Sequence, residues 1–257
     1  MGFYPNLNKA APEKELPRKK GFARLWELLD RDFSRFFRAG FLALLGCVPF
    51  MIGTAFAITS HVLFFAPAAG LIGGAFAGPE LCGLADTILR SLRDEPGFWW
   101  HTYKKAWKRN AKSALLPGAV GGLLLGMQIF LLFHAGILGL STAAGAGLTA
   151  GILLVLAVSL YLWPQLALMD LTLPQLLKNS GLLFLGQFPR SVAALSILTC
   201  YVGLILRFFM FAVSLLPFLN LWLPVLPALF LIYPGINKNF HIEERLKRNE
   251  QIDSPAV

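Results

Sequence analysis

The sequence predicts an all-α protein that crosses a lipid bilayer as a bundle of six helices. Hydrophobic residues make up 56% of the 257-residue chain and charged residues only 14%, whereas a soluble domain carries about a quarter charged residues. Mean hydropathy is correspondingly high, at +0.62. Apolar blocks of about 20 residues recur along the chain, which is the helix length that spans a hydrocarbon core of about 30 Å.

The apolar blocks pair into three predicted helical hairpins. They cover about residues 39–60, 62–84, 113–134, 147–169, 191–212 and 216–234. Prolines inside them, such as Pro49 and Pro164, are tolerated better in membrane helices than in soluble ones and are expected to produce kinks. The predicted membrane domain covers residues 22–240, between a disordered N-terminal tail (1–21) and a charged cytoplasmic C-terminal tail (241–257).

The distribution of Lys and Arg predicts the orientation of the bundle. Of the 23 Lys and Arg residues, all except Arg207 lie near the two termini or in the connections that follow the second and fourth spans. Cationic residues are retained on the cytoplasmic side of a membrane. We therefore expect a multi-pass protein of the inner (cytoplasmic) membrane with both termini in the cytoplasm. The same distribution accounts for the net charge of +9 without nucleic-acid binding.

Two segments are predicted to be amphipathic interfacial helices on the cytoplasmic side, at about residues 22–38 and 97–111. The aromatic residues expected to face lipid are Trp26 in the first segment and Trp99, Trp100, Tyr103 and Trp107 in the second. The cations expected to face anionic lipid headgroups are Lys104, Lys105, Lys108 and Arg109. This pattern is typical of helices that lie in the headgroup layer. It is also compatible with helices that pack on the cytoplasmic end of the bundle.

Glycines on one face of the second and third spans predict close helix packing. They recur every four residues, as Gly70, Gly74 and Gly78 and then as Gly118, Gly122 and Gly126. Small residues at this spacing let two helix backbones approach closely. We expect these faces to pack against each other or against a second copy of the chain in a homo-oligomer.

Ionisable residues in or beside the spans are candidate site residues, because charges inside a membrane are costly. Those predicted to line a polar cavity open to the cytoplasm are Glu80, Asp86, Asp170 and Arg190. Arg207 is a further candidate, although its guanidinium can also extend to the outer headgroups. The alternative is that these residues form ion pairs that fix helix packing. Asp86, for example, stands four residues before Arg90, on the same helical face.

Motifs for catalysis, cofactor binding and metal binding are missing from the sequence. The histidines are isolated, the three cysteines form no CxxC pair, and phosphate-loop, GxSxG and HExxH motifs are absent. The chain is therefore predicted to be non-enzymatic, with no cofactor and with no catalytic, cofactor-binding or metal-binding residues.

Three stretches carry a resemblance to a known family. They are ELLDRDFSRFFRAGFLALLGCVPF (27–50), RDEPGFWWHTYKKAWKRNAKS (93–113) and WPQLALMDLTLPQLLKNSGLLFLGQFPRS (163–191). These stretches resemble the YesL-like bacterial integral membrane proteins, a family defined as a domain of unknown function. The resemblance covers most of residues 22–240. It implies a bacterial cell-membrane protein whose relatives' genes often neighbour carbohydrate-uptake systems, and it assigns no catalytic residues.

Three functional hypotheses follow. The leading one is an accessory or regulatory component associated with solute (carbohydrate) uptake, whose partners are the lipid bilayer and membrane transport subunits. The second is an autonomous small-solute transporter with a polar site near Glu80. The third is an intramembrane lipid-modifying enzyme, which would need a nucleophile or metal site that the sequence does not display.

Overall fold

The computed structural model describes residues 18–208, 215, 217–218 and 220–253. These residues form eight α-helices and no strand, which confirms the predicted all-α class. The helices are α1 (Phe22–Ser60), α2 (Phe65–Leu92), α3 (Trp99–Phe133), α4 (Thr142–Leu168), α5 (Leu173–Gly186), α6 (Phe188–Arg207), α7 (Trp222–Phe240) and α8 (Ile242–Asp253). The disorder predicted for the N-terminal tail lies, for residues 1–17, outside the described residues.

Five of these helices are long and apolar enough to cross a bilayer: α1, α2, α3, α4 and α6. They overlap the first five predicted spans, although residues 209–212 of the fifth lie outside the described residues. Large apolar side chains on their surfaces, such as Ile52 and Phe76, are exposed, as expected where helices face hydrocarbon instead of water. The chain is therefore a multi-pass membrane protein that contacts the lipid bilayer.

The sixth predicted span, at 216–234, corresponds to α7, which is not among these five helices. α7 has 19 residues and ends in the polar sequence NKNF. Its beginning lies beside the middle of α1, because Asn220 donates a side-chain N–H to the backbone carbonyl of Phe37 at 3.3 Å. From Phe37 to Ser60, α1 continues for about 35 Å at 1.5 Å per residue. The start of α7 is therefore far from the distal end of α1.

The two predicted interfacial helices are the first parts of longer helices. α1 runs without a break for 39 residues and α3 for 35 residues, or about 58 and 52 Å. Residues 22–38 therefore continue directly into the first span, and residues 99–111 into the third. The junctions contain good helix formers, including Ala39 and Ala111, and a continuous helix keeps every backbone hydrogen bond satisfied as it enters lipid.

The main hydrophobic core lies at the charged end of the bundle. Five helices contribute fully buried side chains to it, for example Phe36, Ile88, Tyr161, Leu176 and Ile232. A smaller cluster of Ala57, Ala66 and Phe130 joins α1, α2 and α3 near their other end. Helices α5 and α7 thus pack on the charged end, where they help to enclose the spans.

α2 and α3 cross closely through their glycine faces, and the structure brings the two predicted sets together. A Cβ atom added at Gly74 would collide with the carbonyl oxygen of Gly118 and would lie 2.8 Å from the Cα of Gly122. The neighbouring contacts repeat this pattern: Gly70 against Gly122, Gly78 against Gly118, and Gly126 against Gly70. These glycines therefore pack within one chain, so the alternative of a second copy is not needed to cover them.

Candidate functional site

An ion-pair network joins the charged ends of the helices. Asp94, between α2 and α3, accepts hydrogen bonds from Arg24 at 2.6 Å and from Arg31 at 2.5 Å, both on α1. Arg18 lies 2.9 Å from the same carboxylate and 3.0 Å from Glu243 on α8. The contacts of Arg18 bring residues from near both ends of the described chain to one end of the bundle.

Asp94 is the centre of this network. Its φ of 60° lies in the left-handed region, which Asp adopts more readily than most residues. Burial alone would raise the pKa of Asp94, but hydrogen bonds and charges from Arg24 and Arg31 outweigh burial, so the pKa lies below its ordinary value. Asp94 is therefore a stable carboxylate at neutral pH.

Two further carboxylates at this end are paired inside the protein. The buried Asp32 of α1 accepts a hydrogen bond from Arg31 at 2.7 Å and another from the hydroxyl group of Ser91 on α2. Asp86 accepts one from Arg90 at 2.8 Å, the contact that their four-residue spacing predicts. Both carboxylates are paired with arginines of their own helices and do not form a free acidic surface.

Glu80 is held by two side chains of α3. The hydroxyl group of Tyr103 donates to Oε2 at 2.5 Å, and the indole N–H of Trp107 donates to Oε1 at 2.8 Å. Tyr103 is only 4% exposed, so its predicted lipid-facing position is corrected: it faces α2. The physical reason is that a carboxylate at this depth needs hydrogen-bond donors, which the two aromatic side chains supply.

The predicted lipid-facing aromatic residues therefore divide into two groups. Trp26 and Trp100 are exposed on the surface. Trp99 is half-buried, with the guanidinium carbon of Arg38 5.7 Å from its ring centroid, a cation–π distance. Trp99 thus packs within the bundle, as do Tyr103 and the half-buried Trp107, whose predicted lipid-facing position is likewise wrong because its indole N–H is bonded to Glu80.

The predicted polar-cavity residues occupy separate places. Glu80 and Asp86 face different partners along α2, as given above. Asp170 is exposed after α4, Arg190 is exposed in the first turn of α6, and Arg207 is exposed at its last residue. The structure has a large cavity between its helices, and none of these five residues is among the described residues that line it.

That cavity has a volume of about 440 Å³ and lies between α1, α2, α3, α4 and α7. Its wall includes Phe50, Leu81, Leu125, Trp163 and Leu229, one from each of the five helices. The remaining wall is also mostly aliphatic, with the thiol group of Cys47 and the hydroxyl group of Ser159 as polar additions. The cavity is therefore an apolar space rather than the polar site predicted.

The cationic side chains in the first half of α3 differ in their contacts. Lys104, Lys105 and Lys108 are exposed. Arg109 is also exposed, but its Nη2 donates to the carbonyl oxygen of Ala167 near the end of α4 at 2.8 Å. The three lysines are thus available to solvent or headgroups, whereas Arg109 also fixes α3 to α4.

At the opposite end of the bundle, His61 and His134 contact each other. Nδ1 of His61 lies 2.9 Å from Nε2 of His134, and Nδ1 of His134 lies 2.9 Å from the carbonyl oxygen of Phe130. The carbonyl accepts, so neutral His134 carries its proton on Nδ1 and accepts from His61. Nothing in their sequence spacing predicts this contact. Among the described residues, no three side chains of metal-ligand type come together.

A scan of protein-family models, a search of curated proteins and a search of solved structures each give no match for this chain. The resemblance to the YesL-like family therefore stays a prediction.

Proposed function

We propose that the protein is a non-enzymatic component of a bacterial cytoplasmic membrane that assists a solute-uptake system as an accessory or regulatory subunit. The observation that carries this proposal is the pairing of the deep carboxylates. Glu80 and Asp86 are hydrogen-bonded to side chains of the bundle itself. Their carboxylates therefore contribute to helix packing rather than to a polar path for a solute. The family resemblance supports carbohydrate uptake as the associated process.

The exposed face of α3 supports the docking part of the proposal. Lys104, Lys105 and Lys108 project from a helix whose other face is fixed to α2 through Tyr103 and Trp107. A rigid row of unpaired cations provides complementarity to an acidic surface on a partner and accelerates its association. We place this face in the cytoplasm, following the retention of cations on that side.

A topology with both termini in the cytoplasm belongs to the same proposal. The contact between Arg18 and Glu243 requires an even number of crossings between them. In the six-span arrangement that we propose, α6 and α7 form the third hairpin, which is supported by the cleft that Cys200 and Leu204 on α6 share with Leu223 on α7. Since α7 begins beside Phe37, this hairpin extends less far from the charged end than α1 does.

Cysteine labelling in intact cells tests the topology. In a variant with Cys47, Cys82 and Cys200 replaced by Ala, Leu138→Cys between α3 and α4 is expected to react with an impermeant maleimide. Arg245→Cys in α8 is expected to react only after the cells are opened. The reverse pattern would overturn the orientation.

Co-purification tests the accessory role. The tagged protein, extracted in a mild detergent, is expected to carry a subunit of a solute-uptake system that mass spectrometry identifies. Charge reversal of Lys104, Lys105 and Lys108 to Glu is expected to release that subunit, whereas reversal of the exposed Lys178 on α5 is the control. A single monodisperse species in several gentle detergents would contradict the proposal.

The alternative function is an autonomous transporter with a site at Glu80. One observation favours it: Ala77 and Leu81, on either side of Glu80 in α2, both line the cavity. Flux of candidate sugars into proteoliposomes, compared between the unmodified protein and Glu80→Gln, tests this alternative. Sugar flux that Glu80→Gln abolishes would favour the transporter, and equal flux would remove Glu80 from the mechanism.

A further inference from the structure

The cavity enclosed by the spans has walls that suit a hydrocarbon chain. Phe50, Leu81 and Leu125 are typical of its lining. A polar solute would lose its hydration there without gaining hydrogen bonds, and apolar cavities in proteins stay dry and bind apolar molecules. The chemistry of the wall thus selects an apolar occupant.

The mouth of the cavity opens towards lipid. Val120 and Leu124 of α3 and Leu154 of α4 line the cavity, yet these side chains are 42%, 45% and 65% exposed. They belong to candidate membrane spans, so the medium that they meet is the bilayer interior. An acyl chain can therefore enter sideways between α3 and α4 without passing through water.

The cavity is elongated and ends near the charged side of the bundle. Its α4 wall runs from Leu154 to Pro164, about 15 Å at 1.5 Å per residue. Leu173 and Leu177 of the short helix α5 complete the wall. An acyl chain in this space would place its headgroup beside the first half of α3.

Two cationic side chains, Arg109 and Lys112, lie near the expected position of that headgroup. Arg109 is bonded to Ala167, one turn beyond the α4 wall. Eleven residues separate Arg109 from Val120, close to three helical turns, so both lie on the same face of α3. Lys112 is exposed on the next turn, five residues before Pro117, where the α3 wall of the cavity begins. Arg109 and Lys112 thus supply two positive charges beyond the charged end of the cavity, where a lipid phosphate would lie.

We propose that the cavity binds one acyl chain of an anionic phospholipid from the cytoplasmic leaflet, with the lipid phosphate held by Arg109 and Lys112. This site is a defined pocket for a single lipid, distinct from general contact with the bilayer. It rests on the orientation proposed above, which places the charged end of the bundle in the cytoplasm, but not on the accessory function, since the same lipid site would exist in a transporter.

Filling the cavity tests the acyl-chain half of the inference. A Cβ at Gly121, which lines the cavity, meets no atom within 4 Å, so Gly121→Leu adds an isobutyl group to the space without a backbone clash. Gly147→Leu is the matched control, because its Cβ is equally free and Gly147 on α4 lies outside the cavity lining. Both variants are compared with the unmodified full chain in detergent, with and without phosphatidylglycerol or phosphatidylcholine.

Native mass spectrometry and the thermal midpoint are the readouts. The unmodified protein and Gly147→Leu are expected to retain one phosphatidylglycerol and to gain the same increase in midpoint, and Gly121→Leu is expected to lose both. The midpoint without added lipid reports whether Gly121→Leu is folded. Equal retention of phosphatidylglycerol by Gly121→Leu and Gly147→Leu would overturn the site.

Phosphatidylglycerol with a brominated acyl chain provides an independent measurement, because bromine quenches indole fluorescence at short range. Trp163 lines the cavity, so quenching is expected to fall clearly in Trp163→Phe. The exposed Trp100→Phe is the control. Quenching that is the same in the two variants would exclude the acyl chain from the cavity even if Gly121→Leu failed to fold.

The headgroup half is tested by Lys112→Gln. We expect about a fivefold loss of affinity for phosphatidylglycerol, the usual effect of one cation near an anionic headgroup. Lys238→Gln, at an exposed position near the end of α7, is expected to leave it unchanged. Equal affinities of the unmodified protein for phosphatidylglycerol and phosphatidylcholine would contradict the role of Arg109 and Lys112.

Discussion

Tyr103 of α3 donates its hydroxyl group to the carboxylate of Glu80 on α2, with an oxygen-to-oxygen distance of 2.5 Å. Trp107, one turn further along α3, donates to the other carboxylate oxygen at 2.8 Å. Residues four apart share a helical face, so one face of α3 satisfies both oxygens of Glu80. This contact and the glycine crossing fix α2 against α3 at two levels.

Tyr103→Phe is expected to destabilise the protein while keeping the ring in place. It removes one of the two donors to a carboxylate, a hydrogen bond worth about 1.5–3 kcal/mol in the free energy of unfolding. The thermal midpoint in detergent measures the effect. Trp100→Phe, on the exposed side of the same helix, should change the midpoint little. Equal midpoints for the two variants would contradict a stabilising role for the bond to Glu80.

Asp94→Asn is expected to loosen the ion-pair network without straining the backbone, because Asn also tolerates the left-handed φ of 60°. We expect a loss of roughly 1 kcal/mol at neutral pH after allowing for solvent screening. Asp30→Asn, on the exposed face of α1, is the matched control. The midpoint should fall more for Asp94→Asn than for Asp30→Asn.

The effect of Asp94 should depend on pH. Its pKa is lowered in the folded protein from a model-compound value of 3.8, so its contribution is fully present above that value. The contribution is lost as the pH falls through the lower folded pKa. The difference in midpoint between the unmodified protein and Asp94→Asn should therefore be constant near neutral pH and shrink below about pH 4. A difference that grows on acidification would exclude this carboxylate as the cause.

Gly74→Ala and Gly121→Ala should differ in their effect on the thermal midpoint. A methyl group at Gly74 would collide with the carbonyl oxygen of Gly118, whereas one at Gly121 meets nothing within 4 Å. Overpacking of this kind costs about 1–3 kcal/mol, but Ala in a helix interior is favoured over Gly by up to about 1 kcal/mol. The midpoint should fall for Gly74→Ala and stay equal or rise for Gly121→Ala.

Asn220→Ala is expected to detach the start of α7 from α1. The fully buried side chain donates to the carbonyl oxygens of Phe37 at 3.3 Å and of Pro217 at 3.2 Å, and it accepts from the backbone N–H of Trp222 at 3.3 Å. Its loss should cost about 1–2 kcal/mol. Asn179→Ala, at a half-buried position of α5, is the control. Faster proteolysis between α6 and α7 in Asn220→Ala alone would support the assignment.

Composition and spacing were enough to predict five of the spans and the close packing of the glycine faces, although the spacing left open whether these faces meet each other or a second copy. Runs of apolar residues fix where a helix can enter lipid, and Gly70, Gly74 and Gly78 share a face whatever lies opposite. The ion pair between Asp86 and Arg90 could also be predicted, because both partners lie on one helix. Local features of this kind need no knowledge of how the helices are arranged.

The long-range contacts could not be predicted in the same way. An aromatic stripe has the same spacing whether it faces lipid or another helix, so the contact of Tyr103 with Glu80 was not visible. Asp94 draws its partners from α1, more than 60 residues away. The depth of α7 depends on Asn220 meeting Phe37, 183 positions apart. Only the packing of whole helices decides such pairs.

Helix α1 runs without a break between the two ends of the bundle. Near its start, Arg24 donates a hydrogen bond to Asp94, and His61, directly after its last residue, contacts His134. Pro49 lies between these two contacts inside α1, and proline is the residue at which a long helix most readily kinks. The ion-pair network at one end of the bundle and the histidine pair at the other are thus joined by a single helix.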